Sequence, residues 1–244
     1  MSKSSTNAQN KTKGVVQDIL VIMDSSGSMQ SMGNEPLQAL NGFIKDQQEV
    51  LSGDGSTLSL WMFDTKTHLV IDDQPLKDVA PVTAYRPDGM TAMYDAIGKA
   101  VSLKYNKSKR RNVVCMVITD GEENASVEYA LSDVRKVIDT AEKEHGWKFI
   151  FIGATDIFAE GAKTGFDINR CAAYAPSVPG MLAQISREVS SNVAHYRCVT
   201  SQGIEVDLKL RQSEMKKDSD DDTDGFVERV VPPPPALTRR SSVV

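Results

Sequence analysis

Histidine and cysteine are scarce in this chain, with three of each among 244 residues. His68, His145 and His195 are scattered and no Cys-x-x-Cys pair occurs, which argues against a zinc site. Cys115, Cys171 and Cys198 are odd in number and far apart, and two lie in apolar stretches. They read as small core residues in a reducing compartment, not as a disulfide framework. Excess basic charge is also missing: the formal net charge is -5, so the electrostatic footprint of a nucleic-acid binder is absent. Long apolar runs are lacking too. The longest, 19–23 and 113–118, are strand-sized and far short of the roughly 20 residues that span a bilayer. Residues 1–14 are polar, without the apolar segment of a secretory signal. Neither nucleic acid nor membrane is expected as a partner, and the expected location is the cytoplasm.

What is present suits a soluble globular protein: 40% hydrophobic and 25% charged residues, in a length that fits one domain of roughly 200 residues plus tails. Residues 1–15 read as a flexible lead-in. A continuous apolar run near 17–24 has the pattern of a strand buried on both faces. After a loop, Leu37, Leu40, Ile44 and Leu51 follow helical spacing. Strands at 57–63 and 67–71 are joined too tightly for a crossover, so they should form an antiparallel hairpin. A Pro-containing loop through Pro81 and Pro87 leads to Thr91, which opens a helix with Met93, Ala96, Ile97 and Val101 on its apolar face. A second buried strand follows at 113–118. Leu131, Val134, Ile138 and Ala141 mark a helix that ends near Gly146, a C-cap glycine. A third buried strand at 148–153, a short helix near 156–165, a strand near 168–174 and a helix bearing Leu182, Ile185, Val189 and Val193 complete the series. This alternation predicts a Rossmann-like, doubly wound α/β fold. Its six-stranded sheet should be mostly parallel, with one antiparallel edge strand and helices on both faces.

Three segments fall where a strand ends or a helix begins: Asp24-Ser25-Ser26-Gly27-Ser28, Gly89-Met90-Thr91 and Thr119-Asp120-Gly121. In open α/β sheets, ligands bind beyond the carboxyl ends of the strands. If the strands near 17 and 113 are neighbours, Asp24 and Asp120 meet there. Asp24, Ser26, Ser28, Thr91 and Asp120 would then form an all-oxygen set suited to Mg²⁺, with Mn²⁺ or Ca²⁺ as alternatives. Neutral hydroxyls hold an ion without cancelling its charge, which leaves a position for an outside carboxylate. Taken singly, each segment is weak, because Asp, Ser and Thr are common caps and turn residues. The conjunction of all three, in order and at the correct element ends, carries the signal.

Asp24-Ser25-Ser26-Gly27-Ser28-Met29, residues 89–97 and residues 118–124 together resemble the von Willebrand factor A-type domain and its metal-ion-dependent adhesion site, over about residues 16–200. The resemblance implies direct ligation by Ser26 and Ser28. It implies direct or water-linked ligation by Thr91, and mainly water-linked contacts from Asp24 and Asp120. Residues 151–156 resemble a Phe-Leu-Gly-Ala-Asn stretch of intracellular bacterial and phage-encoded members, with Ile152 and Thr155 as departures. Members mostly bind proteins and are seldom enzymes, which implies a protein partner that presents an Asp or Glu to the metal.

The competing expectation is a metal-assisted hydrolase or phosphatase in the same crevice. The residues argue against its usual forms. Ser26 stands where a haloacid-dehalogenase-type enzyme needs its second Asp, and neither a Gly-x-Ser-x-Gly elbow nor a Walker loop is present. Glu122 and Glu123 read either as a solvated acidic face, the usual meaning of such a pair, or as charges that repel wrong partners, and the sequence does not choose. The domain is expected over 16–205, followed at 206–244 by a disordered tail with crowded acids and four prolines at 232–235. Ser242 matches a basophilic kinase site, although a solvated tail is the commoner meaning of so short a match.

Overall fold

A computed structural model describes residues 16–50, 55–107, 112–155 and 158–210. Its elements follow the expected alternation: β1 (Asp18–Asp24), α1 (Glu35–Val50), β2 (Thr57–Phe63), β3 (Thr67–Pro75), α2 (Met93–Lys107), β4 (Val113–Thr119), α3 (Leu131–His145), β5 (Lys148–Ala154), α4 (Phe158–Thr164), β6 (Cys171–Tyr174) and α5 (Met181–Ser201). The six strands form one sheet in the order β3-β2-β1-β4-β5-β6. Every pairing is parallel except that of β2 with β3, the edge hairpin.

The apolar runs become central strands because helices cover both of their faces. All seven residues of β1 and of β4 are buried. Alternate side chains feed two cores. Ile19, Val21 and Met23 pack with Leu40 and Phe43 of α1 and Val189 and Val193 of α5. Leu20 and Ile22 pack with Met93 and Ile97 of α2 and Val134 and Ile138 of α3. β3 lacks this cover, so Leu69 and Val70 stay exposed, and register shifts against β2 roughen the edge. Such irregularities discourage pairing with other chains. Gly146 closes α3 in the left-handed region, with φ 67° and ψ 21°, as a C-cap glycine should.

Some expectations need correction. Leu37 is only half-buried, while Ala39 and Phe43 carry the inner face of α1; Leu51 lies outside the described residues. The strand expected at 168–174 is a 3₁₀ turn over Ile168–Arg170 followed by β6. The turn lets the guanidinium of Arg170 sink inward, donating to the Phe149 carbonyl at 3.1 Å and pairing with Glu142. Cys115 and Cys171 are buried, but Cys198 is only half-buried. Residues 206–210, assigned by sequence to the tail, pack on the folded body. Leu208 and Leu210 join the α1–α5 core, the Leu210 N–H donates to the Asn169 carbonyl at 2.9 Å, and Asp207 pairs with Lys148 at 2.8 Å. Two leucines at alternate positions supply the apolar face that docks this stretch. Residues 1–15 and 211–244, including Ser242, lie outside the described residues.

Candidate metal centre

The sheet order places a switch point between β1 and β4, because the chain winds outward from β1 in both directions. Met23 and Ile118 are in register, so Asp24 and Asp120 leave the sheet side by side. Ligand sites gather at such a crevice.

Asp24 lies at its floor, fully buried. One carboxylate oxygen accepts the Ser26 N–H at 2.6 Å and the other accepts the Thr119 hydroxyl at 2.5 Å. The Tyr85 hydroxyl donates to the Asp24 carbonyl at 2.8 Å, and the Tyr174 hydroxyl donates to that of Thr119 at 3.2 Å. Both strand ends are thereby fixed. Burial, with Asp24 and Asp120 close by, raises the phenol of Tyr85, so it remains a donor. Above the floor, the Ser26 and Ser28 hydroxyls are 3.1 Å apart, and Ser28 donates to Asp120 at 2.6 Å across 92 residues of sequence. Ser26 and Thr91 are buried, Asp120 is half-buried and Ser28 is exposed. The set therefore runs from a dry floor to an open mouth.

Thr91 arrives from the second segment, Gly89-Met90-Thr91. It precedes α2 by two residues, and a Cβ placed on Gly121 would lie 3.0 Å from its hydroxyl oxygen and 3.4 Å from that of Ser28. The Thr91 segment is docked through its backbone. Gly27 N–H donates to the Gly89 carbonyl at 3.0 Å, Asp88 N–H to the Ser25 carbonyl at 2.9 Å, and Ala92 N–H to the Asp64 carbonyl at 2.8 Å. Gly89 has φ +74°, and a Cβ there would meet the Thr65 hydroxyl at 2.7 Å; only glycine fits this crossing.

All five side chains singled out by sequence thus converge at one end of the sheet. Among the described residues, no three His, Cys, Asp or Glu side chains group closely enough to hold an ion. A cation here would need the hydroxyls as well as the two acids. That donor set, hard oxygen throughout, fits Mg²⁺, Mn²⁺ or Ca²⁺ chemistry. Burial pushes the Asp24 carboxyl up to about 6, against the pull of hydrogen bonds from Thr119 and Ser26 and with a further push from Asp120. A cation would relieve that cost.

Sequence reasoning missed the supports of this set. Thr119 and Asn124 lay within quoted motifs but were given no role, and Tyr85 and Tyr174 carry no local signal at all. The reading of Glu123 as part of a solvated face is overturned. Its carboxylate accepts the N–H groups of Tyr94, Ala125 and Ser126 and the Ser126 hydroxyl, at 2.7–2.9 Å, because the loop folds back over the start of α2. Glu122 alone is exposed.

Solved structures of similar fold include the vWF domain of the type V pili tip protein Mfa5 from Porphyromonas gingivalis, at TM-score 0.59 and 12% identity, covering 80% of this chain and 99% of that one. Proximal thread matrix protein 1 from the mussel byssus, in a structure with a zinc-occupied MIDAS motif, is similar at TM-score 0.52 and 16% identity, over 76% of this chain. This chain spans only 46% of the mussel protein. Manganese-loaded TRAP protein of Plasmodium vivax is similar at TM-score 0.51 and 20% identity, covering 67% of this chain and 69% of that one. At these identities the likeness shows the fold alone. No curated protein matches by sequence. The family model for the von Willebrand factor type A domain matches residues 18–164, most of the chain, and the chain therefore belongs to that family.

Proposed function

We propose that this domain is a non-enzymatic, divalent-metal-dependent protein-binding module. Asp24, Ser26, Ser28, Thr91 and Asp120 would hold the ion, Mg²⁺ in the cell, with Mn²⁺ or Ca²⁺ as substitutes. When bound, the ion supplies a Lewis-acidic position at the mouth of the crevice for a carboxylate oxygen from an Asp or Glu of a partner protein. The observation that carries the reading is the Ser26–Ser28–Asp120 chain of contacts, at 3.1 and 2.6 Å, beside Thr91. Three neutral hydroxyls and two acids gather there from three separate segments. The occupied adhesion-site motif of the mussel protein and the manganese-loaded Plasmodium protein add support by family likeness. The three free cysteines accord with a cytoplasmic setting.

A metal-assisted hydrolase would need a base that can reach substrate. Asp24 is buried with both oxygens engaged, and the Ser25 hydroxyl donates to the Phe63 carbonyl at 2.9 Å. These contacts favour binding over catalysis. Affinity capture in Mg²⁺ and in EDTA tests the reading, alongside assays of phosphate and ester release. Capture should require Mg²⁺, and Thr91→Ala should weaken it by about 2 kcal/mol, the loss expected of a central contact. A captured partner with the same affinity in Mg²⁺, in EDTA and after Thr91→Ala would sink the proposal. Metal-dependent ester or phosphate release would favour the hydrolase.

A further inference from the structure

The start of α2 is capped from a distance. The Thr91 N–H donates to the Asn124 side-chain oxygen at 2.8 Å, the Tyr94 N–H to Glu123 at 2.8 Å, and the Asp95 N–H to the Ser126 hydroxyl at 3.0 Å. N–H groups at a helix start are normally satisfied by the residues just before it; here the loop between β4 and α3 does the work. The helix reciprocates. The Asp95 carboxylate accepts the N–H groups of Val127, Glu128 and Tyr129 at 3.0, 2.9 and 2.8 Å. The Asn124 N–H donates to the Thr91 carbonyl at 3.0 Å. Loop residues 123–129 and the first turn of α2 are thus tied in both directions.

This clamp joins two parts of the proposed metal set. Thr91 is held directly by Asn124, and Asp120 lies only three residues before Glu123. Residues that aim metal ligands without touching the metal are commonly as necessary as moderate ligands. Glu123 itself is not a donor to the ion, because each of its oxygens already accepts two hydrogen bonds, whereas the Asp24 oxygens accept one each.

We infer that Glu123 and Asn124 are positioning residues for the metal set, locking Thr91 to the loop that carries Asp120. The inference rests on the metal-site reading above. Two substitutions cut the clamp. Asn124→Ala removes the acceptor for the Thr91 N–H, and Asn124→Asp keeps it. Glu123→Gln puts an NH₂ group where an oxygen now faces a donor. Glu122→Gln is the control for lost charge, since Glu122 is exposed and one residue away.

Calorimetric titration of the full chain with Mn²⁺ is the test, with a melting curve in EDTA for each variant. Asn124→Ala and Glu123→Gln should weaken Mn²⁺ binding by about ten- to a hundredfold. Glu122→Gln should change it by no more than about threefold, as for a screened surface charge. Asn124→Asp should bind at least as tightly as the wild type. If the wild type binds Mn²⁺ but both clamp variants stay within about threefold of Glu122→Gln, the inference fails while the site reading stands. A lowered melting temperature without lost affinity overturns it equally, leaving a structural role. If the wild type does not bind Mn²⁺, the site reading itself fails. Should Asn124→Ala not fold, Glu123→Gln decides.

Discussion

Asp24 shows most clearly how burial and the proposed metal role pull against each other in one side chain. Its carboxyl is raised by burial from 3.8 to about 6, so the metal-free fold disfavours the ionised form relative to the unfolded chain. Below about pH 4 the group is neutral in both folded and unfolded chains, and its raised pKa gives its full stabilisation. As the pH rises through about 6, the folded chain must carry a buried charge, and that stabilisation is lost. A rise of this size corresponds to roughly 3 kcal/mol. Asp24→Asn should therefore raise the melting temperature of the metal-free protein at pH 7, flatten its decline between about pH 4 and 6, and abolish Mn²⁺ binding. Thermal melts in EDTA across that range check the first two effects. Parallel curves for variant and wild type would show that the burial cost is met in some other way.

At the scale of elements, α2 is where local preference and packing disagree. Gly98 sits within this helix, where alanine is favoured over glycine by about 1 kcal/mol. A Cβ at that position would lie 2.2 Å from Cδ1 and 2.4 Å from Cγ of the Tyr129 ring. The ring cannot simply swing its tip aside, because the atoms met lie close to its root. The Tyr129 N–H is also anchored on Asp95 at 2.8 Å. Overpacking of this kind costs about 1–3 kcal/mol, so packing should win. Gly98→Ala is expected to destabilise the protein in urea titrations, and Tyr129→Ala in the same background should restore part of the loss. Simple additivity of the two would mean that the ring and the helix are not in contact.

For the molecule as a whole, the folded body includes residues 206–210, which the expected domain boundary at 205 left out. Leu208 is 1% exposed and joins the core formed by α1 and α5. Leu208→Ala should cost about 2–5 kcal/mol, as for other buried leucines, and lower the melting temperature accordingly; a change within error would detach residues 204–210 from the core. Divalent metal should act on the same global equilibrium in the opposite direction. At a hundredfold excess over Kd, Mg²⁺ would add about 2.7 kcal/mol through mass action. Among the described residues no helix is long and apolar enough to cross a membrane.

The sequence by itself determined the alternation of strands and helices, the antiparallel edge hairpin and the two fully buried central strands. A run such as Ile19–Met23 can satisfy its backbone only between neighbouring strands and bury its side chains only under helices on both faces. It also marked the five oxygen-bearing side chains, because each stands at the end of a legible element. Tertiary structure decided what surrounds them. Tyr85 reaches the Asp24 carbonyl across 61 residues and Tyr174 that of Thr119 across 55. Glu123 looked like a surface acid and became a cap for another segment's helix. Arginine and lysine are mostly exposed in folded proteins, yet Arg170 sinks against Glu142 and Lys104 against Asp18 and Asp73. Periodicity reports which face of an element is apolar. It does not report which distant loop will bring a hydrogen-bond partner to that element's end, because that depends on strand register and on the path each loop takes over the finished sheet.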